Sequence, residues 1–421
     1  MTNVLIDLGE APRGDVPPPA SPPPPPPLRA LFGLLAFVLV GLLAAAAPLP
    51  RPERPIVIPA RLGDSVFVAG GLLFVAGGST VVGPGVRVRG VDTYELPAAR
   101  LVDSTMVTVA GAVDQVLRAG DTVVASYQLE VNGDSAVVAV AAGTDRTLWR
   151  RPARLLGATA GGQVLLATDE AALAVDAATG TVRWSVPRPP GGTIAESGAP
   201  AYPRWLVVQS GDGRLRTYDA LTGRLLATRS VPAGSGNVWP VGDLVTVGTR
   251  DGFSAYRLPD LAYRWHTAAD LSQSWMQADC GSLICTFRQQ TGIVALDRRT
   301  GRALWSSELW AYAAPAGSYL AATRLDRRTF EPAVWLLDPA TGATIGNFGR
   351  WESLGPAGDG LLYGKIDIHG RYVTHYGVLD PATRRVRVTG TATGVAGSCR
   401  AGAGMLICRL IDASVALWPL R

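Results

Sequence analysis

A short unit recurs along most of this sequence, and the repetition limits the possible folds more than any other feature. The unit is an apolar strand, an Asp, two variable residues, Thr-Gly and a second strand that often carries Trp; the cleanest copy is VALDRRTGRALW, ending at Trp305. The recurring positions are Asp176, Thr179, Gly180, Trp184, Asp219, Thr222, Gly223, Asp297, Thr300, Gly301, Trp305, Asp338, Thr341, Gly342, Asp380 and Thr383. In the last copy Arg384 replaces the Gly.

The chemistry of this unit predicts a tight hairpin. The Asp carboxylate accepts hydrogen bonds from backbone N–H groups of the turn, Thr supports it, and Gly takes the positive φ that leads into the second strand. The Trp then buries a large ring against a neighbouring sheet. Catalytic carboxylates would be the alternative interpretation, but recurrence in register indicates a structural role. We therefore predict no catalytic residue among them.

The spacing of the units predicts the architecture. The Asp-equivalent positions fall at 176, 219, 257, 297, 338 and 380, so successive units are 38 to 43 residues apart. A period near 40 with room for four strands is typical of a β-propeller blade. A β-helix would have a shorter period, and a β-sandwich would not keep this register. The sequence therefore predicts an all-β fold over residues 55–421.

The AxDxxTGxxxW pattern resembles the repeat of the PQQ-like, or quinoprotein alcohol dehydrogenase-like, β-propeller family. The chain as a whole is similar to the membrane-anchored PQQ-binding-like propellers of actinobacteria. This resemblance implies eight four-stranded blades. Weak equivalents of the turn at Glu95, Ala141 and Trp418 extend the series to nine positions, so seven and nine blades stay open. We expect the isolated strand at 55–61 to complete the C-terminal blade, because such closure removes exposed edges.

The resemblance does not carry over the PQQ and calcium ligands of the quinoprotein dehydrogenases. Those enzymes resemble one another in an adjacent Cys-Cys disulfide, a Trp floor under the quinone and a Glu/Asn/Asp set, and this sequence has no adjacent Cys pair. His369 and His375 flank a possible hairpin near Asp367, but a metal site there would need two further ligands. We therefore expect no cofactor, no metal ion and no enzymatic activity.

The first 50 residues differ from the repeats. Residues 1–27 are polar and end in a proline tract, which stays extended as a stiff spacer. Residues 28–50 are apolar, and the 18 uncharged residues from Ala30 to Ala47 would span ~27 Å as a helix, enough for a slightly thin bilayer. A signal peptide cleaved after Ala44–Ala47 stays open, but the long proline-rich lead favours an uncleaved signal-anchor with a cytoplasmic tail at 1–27.

Four cysteines form two close pairs, Cys280 with Cys285 and Cys399 with Cys408. Both pairs flank a Gly-containing turn before an apolar stretch, so each is placed to close across a β-hairpin. Metal binding would need four converging thiolates, and neither pair has the CxxC spacing; free buried thiols are a third option. Disulfides are favoured, and they predict an oxidising compartment outside the cytoplasm.

Charge composition bears on the partners of the protein. Charged residues make up 17% of the chain and the net charge is +5, with Arg residues scattered along it, which argues against a nucleic-acid partner. We expect a single-span membrane protein whose propeller lies on the extracytoplasmic side and binds a protein or an envelope component. The alternative is a binder of PQQ or another small molecule, including an oxidoreductase.

Overall fold

The computed structural model of the protein describes residues 54–83, 85–129, 133–198, 201–232, 237–249, 251–269, 271, 274–288, 292–324, 333–368 and 370–420. These residues form nine antiparallel sheets of four strands, in which strands that follow one another along the chain are paired. Strand β1 covers Ile56–Ile58. Blade 1 contains β2 (Ser65–Ala69), β3 (Leu72–Gly83), β4 (Val86–Glu95) and β5 (Arg100–Val109). Blade 2 contains β6 (Gly111–Ala119), β7 (Thr122–Leu129), β8 (Ser135–Ala141) and β9 (Thr147–Pro152).

The middle blades follow the same order. Blade 3 contains β10 (Arg154–Ala158), β11 (Gln163–Ala167), β12 (Ala171–Asp176) and β13 (Val182–Pro187). Blade 4 contains β14 (Thr193–Gly198), β15 (Pro203–Gln209), β16 (Arg214–Asp219) and β17 (Leu225–Ser230). Blade 5 contains β18 (Val238–Val241), β19 (Leu244–Thr249), β20 (Gly252–Arg257) and β21 (Tyr263–Thr267). Blade 6 contains β22 (Ser274–Cys280), β23 (Leu283–Arg288), β24 (Gly292–Asp297) and β25 (Ala303–Ser307).

The last blades complete the ring. Blade 7 contains β26 (Trp310–Ala316), β27 (Tyr319–Arg324), β28 (Val334–Leu337) and β29 (Thr344–Asn347). Blade 8 contains β30 (Glu352–Gly358), β31 (Leu361–Ile368), β32 (Val373–Asp380) and β33 (Arg385–Thr393). Blade 9 contains β34 (Val395–Gly402), β35 (Met405–Leu410), β36 (Val415–Pro419) and, as its fourth strand, β1.

The core of the protein lies between the blades. First strands of neighbouring blades lie next to each other, which places them around the central axis. Side chains alternate along each strand, so Val164 and Leu166 pack towards blade 2 while Leu165 packs towards blade 4. Nine hydrophobic clusters among the described residues each join two adjacent blades, including blades 9 and 1. Each blade is therefore stabilised by burial on both of its faces.

The prediction of eight blades was wrong, because the described residues form nine. The difference comes from the first two blades, whose turns at Glu95 and Ala141 lack the Asp-Thr-Gly signature and yet join complete third and fourth strands. A sheet forms when apolar side chains alternate along its strands and the strand backbones pair. Strands can therefore pair even where the turn between them lacks the Asp-Thr-Gly signature.

The closing strand lies where the sequence predicted it. β1 pairs antiparallel with β36, with Ile56 opposite Leu417 and Ile58 opposite Val415. Ile58 is only 2% exposed, in a cluster shared by blades 9 and 1. The ring is thus closed by backbone pairing between the two ends of the propeller.

Two predictions concern the N-terminal 50 residues. The predicted tail at 1–27 and the predicted anchor at 28–50 lie outside the described residues. Within the part of the chain that the structure describes, no helix has the length and apolar character needed to cross a membrane.

Candidate interaction site on the turn face

Each repeat turn is held by its Asp side chain. Asp297 Oδ1 accepts hydrogen bonds from the backbone N–H groups of Arg299 at 3.0 Å and Thr300 at 2.7 Å, and from the Thr300 hydroxyl at 2.8 Å. These hydrogen bonds, that of the Thr300 hydroxyl above all, hold the pKa of Asp297 below its usual value. The same backbone bonds recur at the other predicted turn positions, Asp176, Asp219, Asp338 and Asp380.

The repeat Trp of one blade docks on the turn of the next blade. Trp305 Nε1 donates to the carbonyl oxygen of Pro339 at 2.8 Å, and a β-carbon on Gly342 would lie 2.6 Å from its ring. Three further pairs repeat this arrangement, formed by Trp149 with Gly180, Trp184 with Gly223 and Trp265 with Gly301. The sequence predicted that Trp packs on a neighbouring sheet. It missed the partner, although Gly and Trp occur together in the units of Asp176 and Asp297.

Two blade interfaces reverse the sizes of this pair. Gly346 stands at the Trp position of blade 7, and the next turn carries Arg384, whose Cδ lies 3.2 Å from where a Gly346 β-carbon would be. Ala227 stands at the Trp position of blade 4, and the next turn carries buried Leu261 in the same hydrophobic cluster. Arg384 and Leu261 hold the positive φ of the replaced Gly, at 57° and 55°. The missing ring is therefore replaced by a side chain from the opposite blade.

The turns that join strands 1 to 2 and 3 to 4 lie on one face of the ring, because each blade is a four-stranded meander. We call this face the turn face. On it, a cavity of about 340 Å³ is lined by turns of blades 1 to 4. A second cavity of about 700 Å³ shares Gly120 and Ala160 with the first. The two cavities adjoin at these residues, and we call them together the turn-face cleft.

The walls of the turn-face cleft consist mainly of small residues. Gly70, Gly120, Ala160 and Ala201 contribute to the first cavity, and Gly161, Gly162 and Ala178 to the second. The sequence did not predict this cleft. Gly and Ala in turns do not indicate a binding site, and the residues of the four blades come together only in the folded protein.

Two of the charged groups at the cleft are held by the protein itself. Arg118 lines the first cavity, but its Nη1 forms an ion pair with Asp103 and its Nε donates to the carbonyl oxygen of Gly120 at 2.9 Å. Asp176 lines the second cavity and pairs with Arg183 at 2.6 Å. Arg183 and the turn hydrogen bonds hold the pKa of Asp176 below its usual value. Asp121 and Arg146 also line the second cavity; both are exposed, and no other side chain of the described residues pairs with theirs.

The cysteines form two disulfides, Cys280–Cys285 across the turn between β22 and β23, and Cys399–Cys408 between β34 and β35. These are the pairs that the sequence predicted. His375 Nδ1 lies 2.8 Å from the Thr391 hydroxyl, and His369 lies outside the described residues. No three His, Cys, Asp or Glu side chains of the described residues are grouped to hold a metal ion.

The ring of four-stranded blades, the Asp turns and the docked tryptophans define the protein as a β-propeller of the PQQ-like class. The family model of the outer membrane protein assembly factor BamB matches residues 99–347, which is more than half of the chain. The chain belongs to this family.

Comparison with solved structures finds matches at low identity. BamB from Moraxella catarrhalis is 14% identical, with a TM-score of 0.41 over 88% of this chain and 97% of that one. The dihydro-heme d1 dehydrogenase NirN is 13% identical, with a TM-score of 0.41 over 86% and 85%. A eukaryotic initiation factor is 10% identical, with a TM-score of 0.49 over 83% and 93%. No curated protein sequence matches the chain.

Proposed function

We propose that this protein is a non-catalytic scaffold whose turn-face cleft holds an extended segment of a partner protein. The cleft itself is the observation that carries the proposal. Its small side chains let the backbone of a bound segment come close to the turns of four blades, and its volume exceeds what one side chain would fill. The description of the family as an assembly factor, a protein that acts on other proteins, supports the same conclusion.

The polar groups of the first cavity favour a peptide over a small redox cofactor. Small-molecule sites combine apolar walls with a few convergent polar groups that fix the orientation of the ligand. Arg118 is the charged residue of the first cavity, and both Asp103 and Gly120 already engage its guanidinium. A segment that binds mainly through shape and backbone contacts fits such walls better than a charged quinone does.

The proposed location is the extracytoplasmic side of the cell membrane, with residues 28–50 as a single-span anchor. Two disulfides support an oxidising compartment, since disulfides form and persist outside the cytoplasm. The family description concerns the assembly of outer membrane proteins, which supports an envelope protein. Protease added to intact cells should digest or release the propeller; full protection, with digestion only after lysis, would contradict this placement.

The cleft is tested by crosslinking from one of its residues in living cells. Ala160 lies exposed between the two cavities, so a photoreactive phenylalanine there should give a discrete crosslinked protein. Ala340 is a matched control, because it is also an exposed alanine of a turn on the same face but lies in blade 7. The crosslink from position 160 should disappear when Ala201→Trp fills the first cavity, which Ala201 also lines.

The outcomes separate the two candidate functions. A crosslinked partner at 160 that is absent at 340 and lost with Ala201→Trp supports the scaffold. No crosslink at 160, together with a saturable rise in Tm on addition of PQQ and Ca²⁺, would overturn it in favour of the small-molecule binder.

A further inference from the structure

A small cavity lies at the seam where blade 9 meets blade 1. Its volume is about 130 Å³, and Val66 of β2, Ser398 and Arg400 of β34 and Arg409 of β35 contribute to its lining. This volume is several times the ~30 Å³ that one water molecule occupies in the liquid. The cavity therefore has room for an ion or a group larger than water.

A β-bulge places the polar side chains at this cavity. The pairing of β34 with β35 passes from Gly397 opposite Arg409 to Arg400 opposite Ile407. Ser398 and Cys399 therefore stand opposite one residue, Cys408, to which Cys399 is joined by a disulfide. Ser398 has a φ of 53°, and such irregularities turn side chains away from their regular direction. The disulfide fixes the bulge beside Arg400.

The two arginines of the cavity have no acidic partner among the residues that the structure describes. Arg409 donates to the backbone carbonyl oxygens of Arg61 at 3.3 Å, of Ala413 at 2.7 Å and of Asp64, and these neutral groups leave its charge uncompensated. The Arg400 side chain makes no hydrogen bond or ion pair within the same described ranges. Burial lowers the pKa of Arg400, and so does the positive charge of Arg409. Arg400 is exposed and Arg409 half-buried, so two positive charges without an acidic partner line one cavity.

We propose that this cavity binds a phosphate group between Arg400 and Arg409, with the Ser398 hydroxyl as a further donor. A guanidinium presents parallel N–H donors that match two oxygens of a phosphate, and charge-assisted hydrogen bonds of this kind are strong. The two positive charges match a phosphate dianion better than the single charge of a carboxylate. Arg400 keeps an exposed part, so the group can enter from solvent.

The test is thermal unfolding of the full chain in a non-ionic detergent, titrated with inorganic phosphate at constant ionic strength against chloride. We expect a saturable rise in Tm, of about 2 °C at a tenfold excess of phosphate over Kd. Arg400→Gln should abolish the rise and, without phosphate, should unfold at a temperature no lower than the wild type. Ser398→Ala, which keeps both charges, should weaken binding. Arg224→Gln is the control, since Arg224 is exposed on a turn of blade 4.

A second arm distinguishes a free phosphate from a lipid headgroup. The same variants are mixed with vesicles of phosphatidylcholine, with and without phosphatidic acid, and the bound fraction is measured. Binding that needs phosphatidic acid and Arg400 assigns the site to a headgroup, whereas a response to inorganic phosphate alone assigns it to a solute. A Tm or vesicle response that Arg400→Gln leaves unchanged, or no response to either probe, overturns the proposal.

Discussion

Arg384 fills the space beside Gly346 that a tryptophan fills at the blade interface before it. There, Trp305 covers Gly342 and donates to the carbonyl oxygen of Pro339 at 2.8 Å; here, the Arg384 side chain crosses in the opposite direction and its Nη1 donates to Ile345 O at 3.3 Å. Each of these two interfaces therefore pairs one large residue with one small residue. The large residue can come from the earlier blade, as Trp305 does, or from the later blade, as Arg384 does.

This relationship predicts a strong coupling between positions 346 and 384. Gly346→Trp alone should destabilise the propeller, because the ring would meet the Arg384 side chain. Arg384→Gly alone removes the strain of a non-glycine φ of 57° but leaves an unfilled space. The double variant should recover stability, with a coupling free energy of about 1–3 kcal/mol in a urea-unfolding cycle. Additive effects would contradict the reciprocal arrangement.

The turn aspartates predict a loss of stability in acid. Hydrogen bonds keep the pKa of Asp297, Asp176 and Asp380 below 3.8, and the ion pair with Arg257 lowers that of Asp260 to about 2. A carboxyl whose pKa is lowered by folding contributes stability above its unfolded pKa, and this contribution disappears as the pH falls through the folded value. The free energy of unfolding should therefore fall between about pH 4 and pH 2.

The measurement is urea unfolding at a series of pH values. Asp297→Asn should lower stability at pH 7 and flatten part of the acid dependence, because the amide does not titrate. Asp121→Asn is a suitable control in the same assay, since its backbone oxygen, rather than its side chain, serves the neighbouring turn. An acid profile that Asp297→Asn leaves unchanged would show that other carboxyls cause it.

The disulfides should stabilise the two inner strands of blade 6 and of blade 9 independently. Each closes a short loop, with sequence separations of 5 and 9, so each Cys-to-Ser pair should lower the free energy of unfolding by about 2–3 kcal/mol. The two losses should add, because the pairs lie in different blades. Reductant should have no further effect once all four cysteines are replaced, and mass mapping of four free thiols in the native protein would contradict the prediction.

Closure of the ring by β1 predicts a large effect of one residue near the N-terminal end of the propeller. Ile58 is 2% exposed whereas its neighbour Val57 is 51% exposed. Ile58→Ala should therefore lower the free energy of unfolding by about 2–5 kcal/mol, and the matched variant Val57→Ala by about 0.5 kcal/mol or less. Equal effects of the two variants in urea unfolding would show that β1 does not hold the seam between blades 9 and 1.

Local sequence determined the parts of this protein that depend on a few neighbouring residues. The Asp-x-x-Thr-Gly turn fixes a hairpin through hydrogen bonds within four residues, as at Asp297, so its conformation is predictable from those residues alone. The period near 40 followed from these turns, and with it the propeller class. The cysteine pairs were predictable for the same reason, since their partners lie 5 and 9 residues apart.

Tertiary structure decided what depends on contacts between blades. The count of nine required pairing in blades 1 and 2, whose turns lack the signature and whose strands are fixed by burial against neighbours. The turn-face cleft joins residues from Ala69 to Ala201, and the seam cavity joins Val66 to Arg409. Such sites arise because a closed ring brings segments that are distant in sequence into contact. The repeat pattern predicts the strands and turns, but it does not predict which side chains meet between blades.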